Sequence, residues 1–347
     1  MAPCSAGWGS WWTATGIVAT GSRLLVPELF RIGDDRVMTS DEALRVEGVT
    51  ERLLVVGAGY IGLELGQVYR ALGSRVTVVE MAERILAVAD ADLTGPLKTT
   101  IDEQFEAVHL GVRVEGIVAT EAGLRVALAG EGVEAAAAVD WPAVLVAVGR
   151  RPNADGIGLE KAGVAVDGRG CIVVDEEMRT SAPHIFAIGD VAGEPMLAHT
   201  AAYEAKVAAE VACGEAGAND ARAVPAIVFT DPEVAWCGLT EARAAADGVE
   251  VAVARYPWSA SGRAKTVGAV RGLSKVIAEP GSHRLLGVGH VGHGAGELIA
   301  ETVLAIEKAQ GRYRRPPLPF EITDCDLKES ASSGVSRKRK SSGKRDL

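Results

Sequence analysis

Residues 52–80 read RLLVVGAGYIGLELGQVYRALGSRVTVVE, and this stretch decides the fold. Apolar runs at residues 52–56 and 75–80 predict two buried strands, and the residues between them at 60–72 predict a helix. Gly73 is expected to end that helix, because the left-handed backbone conformation that often follows a helix costs little energy only for glycine. Near-continuous apolar strands separated by helices are typical of a parallel sheet covered on both faces. The stretch therefore predicts a βαβ unit of an α/β protein.

The glycines of this unit are spaced as G-x-G-x-x-G, directly after the first strand and before the helix. Gly57 is expected to permit the tight turn, Gly59 to let the backbone approach a pyrophosphate, and Gly62 to let helix and strand pack closely. The start of the helix then offers free N–H groups and a positive dipole to the phosphates. The alternative is a glycine turn that binds nothing.

Glu80 ends the second strand and indicates which dinucleotide is preferred. A carboxylate at that place accepts both hydrogen bonds of a ribose diol and repels a 2′-phosphate. Arg75 lies at the opposite end of the strand, too far away to neutralise the negative charge of a 2′-phosphate. The sequence therefore predicts NAD rather than NADP as the cofactor.

Composition and charge limit the other partners. The chain has 347 residues, which predicts two or three domains, and its net charge of −10 argues against nucleic acid. No apolar run approaches the roughly 20 residues of a membrane helix, and no secretory signal is visible, so a cytoplasmic protein with no membrane partner is expected. The five cysteines form no C-x-x-C pair and are expected to be free thiols. No metal site is predicted, because His290 and His293, three apart on a strand, point to opposite faces.

Local patterns predict several further elements. Ser40 is a plausible N-cap for a small helix at about residues 40–46. Strands are expected at residues 171–175 and 185–188, and alternating strands at 112–139. Helices are expected from about Ala201 to Cys213 and from about Glu297 to Ala309. The Ser-, Lys- and Arg-rich end, with Arg337-Lys338-Arg339-Lys340, is expected to be a solvated, disordered tail, with a targeting or anion-binding patch as the alternative.

A second polar signal follows the apolar run of residues 185–188, which ends in Gly189-Asp190. Asp190 at the carboxyl end of a strand is able to accept hydrogen bonds from a polyol. The helix expected near Ala201 would turn its positive N-terminus towards an electron-rich ring edge. A role for Asp190 as a helix cap or turn residue stays open on these observations alone.

With these segments, the chain resembles the flavin- and NAD-dependent disulfide reductases, and most of all the dihydrolipoamide dehydrogenase type. The match is close from about residue 16 to residue 307. The segments that carry it are VVGAGYIGLE at 55–64, VGRRPN at 148–153, IFAIGD at 185–190, DPEVAWCGLT at 231–240 and PWSASGRA at 257–264.

The resemblance implies a set of cofactor contacts. Thr20, Gly21 and Ser22 match the turn that touches the flavin, Asp190 matches the residue that holds its ribityl chain, and Met196, Leu197, Ala198 and His199 match the segment at its pyrimidine edge. The residues that match the NAD contacts are Gly57, Ala58, Gly59, Tyr60, Ile61, Gly62, Leu63, Glu64, Glu80, Val114 and Gly149.

The resemblance also implies an activity and a domain order. In that family, electrons pass from dihydrolipoamide through FAD to NAD, the chains form homodimers, and lipoyl domains of 2-oxo acid dehydrogenase complexes are partners. The fold expected is a Rossmann-like NAD domain beside a partial FAD domain, followed by an α+β dimerisation domain. The expected borders are a remnant of the FAD domain at 1–40, the NAD domain at 41–150, the returning FAD and central segment at 151–222, the dimerisation domain at 223–310 and an atypical basic tail at 311–347.

The sequence departs from the family at both ends. The family's first G-x-G-x-x-G unit, its redox cysteine pair four residues apart and its terminal His-Pro motif have no counterpart here, so no catalytic residue is assigned. Truncation, an altered reading frame or a wrong gene model is the expected reason. Two other interpretations stay open: a non-catalytic NAD-binding, dimerising remnant, and a disulfide-independent flavin NADH oxidase or transhydrogenase-like relative.

Overall fold

The computed structural model describes residues 15–308 apart from residues 134, 135, 137 and 138. The tryptophan-rich start, Cys4, Cys325 and the basic tail lie outside the described residues, so the expectations for them stay expectations. The chain divides into two compact units. The first runs to Leu86 and resumes from Gln104 to Ala221, and the second consists of Ala87–Glu103 and the part from Arg222 onward.

Strands and helices are numbered here in chain order over the described residues. The strands are β1 Gly16–Val18, β2 Ser22–Leu24, β3 Val37–Met38, β4 Arg52–Val56, β5 Arg75–Val79, β6 Ala107–His109, β7 Arg113–Ala119, β8 Leu124–Ala129, β9 Asp140–Trp141, β10 Ala143–Val146, β11 Arg150–Pro152, β12 Ile185–Ala187, β13 Ala226–Val228, β14 Glu233–Gly238, β15 Ala252–Pro257, β16 Leu273–Ala278 and β17 Leu285–Gly292. The helices are α1 Ser40–Ala43, α2 Tyr60–Ala71, α3 Ala91–Gln104, α4 Ala198–Ala212, α5 Glu241–Asp247, α6 Gly262–Thr266 and α7 Ala295–Lys308.

The first unit is built on a parallel sheet in the order β3-β10-β4-β5-β6. Strands β4 and β10 are almost entirely buried, as their apolar sequences require, and α2 links β4 to β5. The helix ends as predicted, because Gly73 follows it with φ +113°. The predicted βαβ unit is therefore confirmed, and the carboxyl ends of its strands lie at one edge of the sheet.

Smaller pieces complete this unit. An antiparallel sheet in the order β7-β8-β9 confirms the alternating strands predicted at 112–139. Parallel pairing of β1 with β12 and antiparallel pairing of β2 with β11 join segments that are far apart in the sequence. These two pairings bring the Thr20–Ser22 region next to the Gly189–Val191 turn, a 3-10 turn that follows β12.

Three local predictions are wrong. The N-cap of α1 is Thr39 rather than Ser40, because Thr39 and Glu42 form a reciprocal capping box. Residues 171–175 form isolated bridges rather than a strand. Helix α4 begins at Ala198, three residues before the predicted start, because the extended residue Leu197 is its N-cap.

The second unit contains an antiparallel sheet in the order β13-β14-β17-β16-β15, with α7 packed over β14 and β17. The buried helix residues Ile299 and Ile306 share a core with Cys237 and Val288 of the sheet. The helical spacing seen in the sequence is thereby confirmed, with α7 beginning at Ala295. Among the helices of the described residues, none combines the length and the apolar character of a membrane-spanning segment.

Lys275 lies at the centre of a buried charge cluster in the second unit. Its side chain is 1% exposed, and its Nζ lies 2.7 Å from Asp90, 2.9 Å from Asp92 and in contact with Glu241. Burial lowers the pKa of Lys275, but the hydrogen bonds to the three carboxylates outweigh this and raise it. Asp90 also accepts hydrogen bonds from the first amides of α5, so one cluster ties the Ala87–Glu103 segment to the sheet and to a helix.

His290 is a buried base whose protonated form is disfavoured in the folded state. Its Nδ1 lies 2.9 Å from the Ser274 hydroxyl, and burial lowers its pKa from 6.5 to about 4. Between those two pH values the unfolded chain binds more protons than the folded chain, so folding stability falls as the pH falls. We expect this group to remove about 3 kcal/mol of stability between pH 6.5 and pH 4.

Urea unfolding at pH 7 and at pH 5 checks this expectation. The drop in the unfolding free energy of the wild-type chain should shrink in His290→Gln, which has no group that titrates in this range. His293→Gln is the control, because His293 is exposed and its loss should leave the drop in place. An equal pH dependence in wild type and His290→Gln would contradict the assignment.

Candidate nucleotide site

The glycine turn between β4 and α2 leaves no room for side chains at two of its positions. Gly57 has φ +107°, and a Cβ there would lie 2.4 Å from the carbonyl oxygen of Ala147. A Cβ on Gly62 would lie 2.1 Å from the carbonyl oxygen of Gly57. Both distances are far shorter than a van der Waals contact, so the turn and the close helix–strand approach require glycine.

Gly59 is different, because a Cβ there would meet no protein atom within 4 Å. It is the N-cap of α2, and no side chain caps the free amides of this helix start. An open approach to exposed N–H groups at the positive end of a twelve-residue helix suits a pyrophosphate. The geometry therefore fits the phosphates of a dinucleotide.

Glu80 follows β5 and turns its carboxylate towards the glycine turn. Its two oxygens accept hydrogen bonds from the amides of Ala58, at 2.6 Å, and Ala82, at 2.7 Å. This holds a half-buried carboxylate beside the turn. Arg75, at the other end of β5, contacts Glu51 at 2.6 Å.

The other residues expected to touch NAD occupy different surroundings. Gly149 follows the apolar run of β10 with φ +119°, and its carbonyl accepts a hydrogen bond from Leu25. Val114 lies on β7 and packs against the hydrophobic cluster that includes Trp141. Tyr60 begins α2 with its side chain partly exposed. Burial raises the pKa of its hydroxyl. The charge of Arg150 lowers this pKa, and the charge of Asp190 raises it.

Asp190 belongs to a second polar cluster in the same unit. The Ser22 hydroxyl donates to its carboxylate, and the Arg150 Nε lies 3.7 Å from it. Arg150 also donates to the Ser22 hydroxyl at 2.6 Å and to the Ser22 carbonyl at 3.0 Å. Beside it, Gly21 turns the chain with φ +67°, and the Thr20 hydroxyl donates to the carbonyl of Asn153 at 2.8 Å. The tertiary structure thus joins Asp190 to the Thr20–Ser22 turn.

The start of α4 carries an unsatisfied hydroxyl. Met196 and Leu197 precede the helix, and Ala198 and His199 form its first turn. The Thr200 hydroxyl is buried and has no hydrogen-bond partner within the described part of the chain. A buried hydroxyl without a partner at a helix start suits a polar ligand group. Together with the Asp190 carboxylate, this geometry fits the polar parts of a flavin.

Two members of these clusters were missed at the sequence level. Arg150 lies in the quoted VGRRPN segment but has no role assigned there. Glu204 of α4 accepts the amide of Gly189 at 2.6 Å, and nothing in the sequence pattern singles it out. An arginine directly after an apolar strand and its glycine is the one signal that points to Arg150. The contacts of Arg150 depend on the pairing of β2 with β11, whereas Glu204 reaches Gly189 because α4 packs on the turn that precedes it.

The described residues offer no clear metal centre. The carboxylates of Asp90, Asp92 and Glu241 lie within 4.8 Å of one another, but Lys275 already contacts all three. His290 and His293 belong to no such group within the same part of the chain. The cysteines at 171, 213 and 237 are free thiols, as predicted.

A parallel sheet with this glycine turn, this carboxylate and this open helix start defines a dinucleotide-binding α/β protein. Residues 13–205 match the family model described as pyridine nucleotide-disulphide oxidoreductase, and residues 224–310 match the dimerisation domain of that family. The chain therefore belongs to the pyridine nucleotide-disulphide oxidoreductase family. This family is enzymatic and implies FAD and NAD(P) as cofactors.

Curated relatives agree with this family. A protein named dihydrolipoyl dehydrogenase from Vibrio parahaemolyticus is 45% identical over 292 residues, which are 84% of this chain and 61% of the relative. A protein of the same name from Thermus scotoductus is 48% identical over 294 residues, 84% of this chain and 63% of the relative. The chain thus spans about three fifths of the length of these relatives. Both relatives carry the name of the dehydrogenase type that the sequence resembles.

Solved structures share the fold and part of the sequence. The HOCl-induced flavoprotein disulfide reductase RclA of Escherichia coli, solved as a Cu(II) complex, has a TM-score of 0.76 and 27% identity, covering 88% of this chain and 71% of RclA. LpdA of Mycobacterium tuberculosis has a TM-score of 0.77 and 27% identity, covering 92% of this chain and 69% of LpdA. Both matches span most of the described chain.

Proposed function

We propose that this chain binds NAD in preference to NADP, as part of a dihydrolipoyl dehydrogenase-type oxidoreductase. The observation that carries the proposal is the Glu80 carboxylate, which is hydrogen bonded to the Ala58 amide of the glycine turn. In dinucleotide-binding folds, an acidic residue about 20 residues after the glycine turn hydrogen bonds the ribose, which supports this role for Glu80. NAD contacts are accordingly proposed for residues 57–64, Glu80, Val114 and Gly149.

The preference for NAD follows from charge. A ribose diol donates two hydrogen bonds to a carboxylate, whereas a 2′-phosphate brings negative charge next to it. Arg75, on the same strand, is already paired with Glu51 at the far end. Glu80 therefore favours the diol and disfavours the phosphate.

Replacing Glu80 should change the choice of cofactor. We expect Glu80→Gln to weaken NAD binding about tenfold. A hydrogen bond to a charged group contributes about 1.5–3 kcal/mol, and the side-chain amide of the glutamine retains part of this energy. NADP binding should change little or improve, because the repulsion is gone. Isothermal titration of the 347-residue chain with NAD and with NADP measures both affinities.

Glu83→Gln is the matched control, since it removes an exposed carboxylate from the same loop. Its NAD and NADP affinities should equal those of the wild-type chain. A wild-type chain that binds NADP as tightly as NAD, or a Glu80→Gln variant with unchanged preference, would overturn the proposal.

For the whole protein, we propose electron transfer from dihydrolipoamide to NAD by way of FAD. Bound FAD supplies the chemistry that accepts an electron pair from one partner and delivers it to another. In this chain, Asp190 is proposed to accept hydrogen bonds from the ribityl hydroxyls, and the Thr20–Ser22 turn and residues 196–199 to contact the flavin. The contacts of Asp190 with Ser22 and Arg150 support this, because they hold a carboxylate in one orientation.

The second unit is proposed to form a homodimer. The match of residues 224–310 to a dimerisation domain supports this, as do the exposed apolar side chains Leu298 and Leu304 on α7. A lipoyl domain of a 2-oxo acid dehydrogenase complex is the partner proposed for the whole protein, and the cytoplasm its proposed location.

A further inference from the structure

The turn that carries Asp190 has its backbone held from one side by helix α4. Gly189 opens the turn with φ +70°, a left-handed conformation that favours glycine. A Cβ on Gly189 would lie 3.0 Å from the Cβ of Ala201, so the helix also excludes a side chain there. The backbone of residue 189 is therefore confined by its conformation and by its neighbour.

Glu204 lies one turn beyond Ala201 on the same face of α4. Its Oε2 accepts a hydrogen bond from the Gly189 amide at 2.6 Å. The side chain is partly buried, and burial raises the pKa of its carboxyl, with the Gly189 bond acting in the opposite direction and Asp190 in the same one. Holding a partly buried carboxylate beside the negative charge of Asp190 costs free energy. The hydrogen bond from the Gly189 amide offsets part of that cost.

The side chain of Asp190 is held by a second set of contacts. Ser22 donates to its carboxylate, and Arg150 both donates to Ser22 and lies 3.7 Å from Asp190. One set of contacts orients the carboxylate, and Glu204 fixes the backbone from which that carboxylate projects.

We propose that Glu204 is a positioning residue, which acts through the Gly189 amide to hold Asp190 in the orientation that receives a polyol ligand, the ribityl chain of a flavin. The inference rests on the proposed flavin contact of Asp190. What matters is the acceptor oxygen of Glu204 rather than its charge. A glutamine at this position therefore keeps the function, and an alanine loses it.

Two measurements on the full chain test this inference. Titration with FAD, followed by flavin fluorescence, should show binding weakened about tenfold or more in Glu204→Ala and by less than about threefold in Glu204→Gln. Glu210→Ala is the matched control on the same helix, since Glu210 is also partly buried and its carboxylate pairs with Lys206. Urea unfolding of all three variants separates a loss of positioning from a loss of folding.

Hydrogen–deuterium exchange without flavin is the second measurement. The Gly189 amide should exchange faster in Glu204→Ala than in wild type, Glu204→Gln or Glu210→Ala. A Glu204→Ala variant that binds FAD like wild type, or that weakens binding only in proportion to lost stability, overturns the inference. If the wild-type chain binds no FAD, the proposed flavin contact of Asp190 is wrong, and the exchange measurement alone tests the role of Glu204. Faster exchange of the Gly189 amide in Glu204→Ala then supports the hydrogen bond that restrains Gly189, and unchanged exchange overturns it.

Discussion

Replacing Lys275 by methionine is expected to destabilise the second unit by about 3–5 kcal/mol, because it leaves buried negative charge without its partner. Lys275 is 1% exposed and contacts Asp90, Asp92 and Glu241. Asp90 is itself buried, so water does not replace the lost ammonium group. Arg255, which contacts Asp92 and Glu241, compensates only the outer part of the cluster.

Chemical denaturation of the wild-type and Lys275→Met proteins measures this loss of stability. Lys265→Met is the control, since Lys265 is exposed on α6, and its unfolding free energy should stay within about 0.5 kcal/mol of wild type. A Lys275→Met chain that unfolds at the wild-type midpoint would show that the cluster adds nothing to stability.

The second large effect is expected at the glycine turn, where two alanine substitutions should separate folding from binding. In Gly62→Ala the new methyl group would lie 2.1 Å from the Gly57 carbonyl oxygen, so α2 or the turn must shift. Overpacking of this kind costs about 1–3 kcal/mol, and a displaced turn no longer presents its amides to a pyrophosphate. We expect Gly62→Ala to lose both stability and NAD binding.

Gly59→Ala should behave differently, because its methyl group meets no protein atom within 4 Å. Its unfolding free energy should match that of wild type, while NAD binding falls, since the methyl group occupies the path by which the pyrophosphate reaches the backbone. Gly95→Ala is the control, since it lies in α3 with open space around it and should be neutral or stabilising by about 0.5–1 kcal/mol. Urea unfolding and calorimetric titration with NAD separate these outcomes. Unchanged NAD binding in Gly59→Ala would contradict the proposed location of the pyrophosphate.

Much of the nucleotide unit is predictable because its signals are local. The alternation of apolar runs with a helix, and the glycines between them, depend only on residues within one βαβ unit. Gly73 ends α2 as predicted for the same reason. Where local signals compete, prediction fails: Ser40 and Thr39 are both good caps, and the capping box with Glu42 decides for Thr39.

The site around Asp190 shows the limit of reading a sequence segment by segment. Local patterns alone leave Asp190 open as a turn residue, and the resemblance assigns Ser22 and Asp190 to the flavin, with no role for Arg150 or Glu204. The parallel pairing of β1 with β12 and the antiparallel pairing of β2 with β11 bring Ser22 and Arg150 to Asp190, and α4 folds back on the turn so that Glu204 reaches Gly189. Strand pairing between distant segments follows from burial of the whole core, which no local pattern encodes.

The sequence by itself determined the α/β class, the glycine turn and the carboxylate at the end of β5, because each depends on a few neighbouring residues. The tertiary structure alone decided that Glu80 contacts the Ala58 amide, that Glu204 holds Gly189, and that Lys275 lies among three carboxylates. The physical reason is that a hydrogen bond or an ion pair needs atoms within about 3–4 Å. For residues up to 185 positions apart, only the folded chain sets that distance.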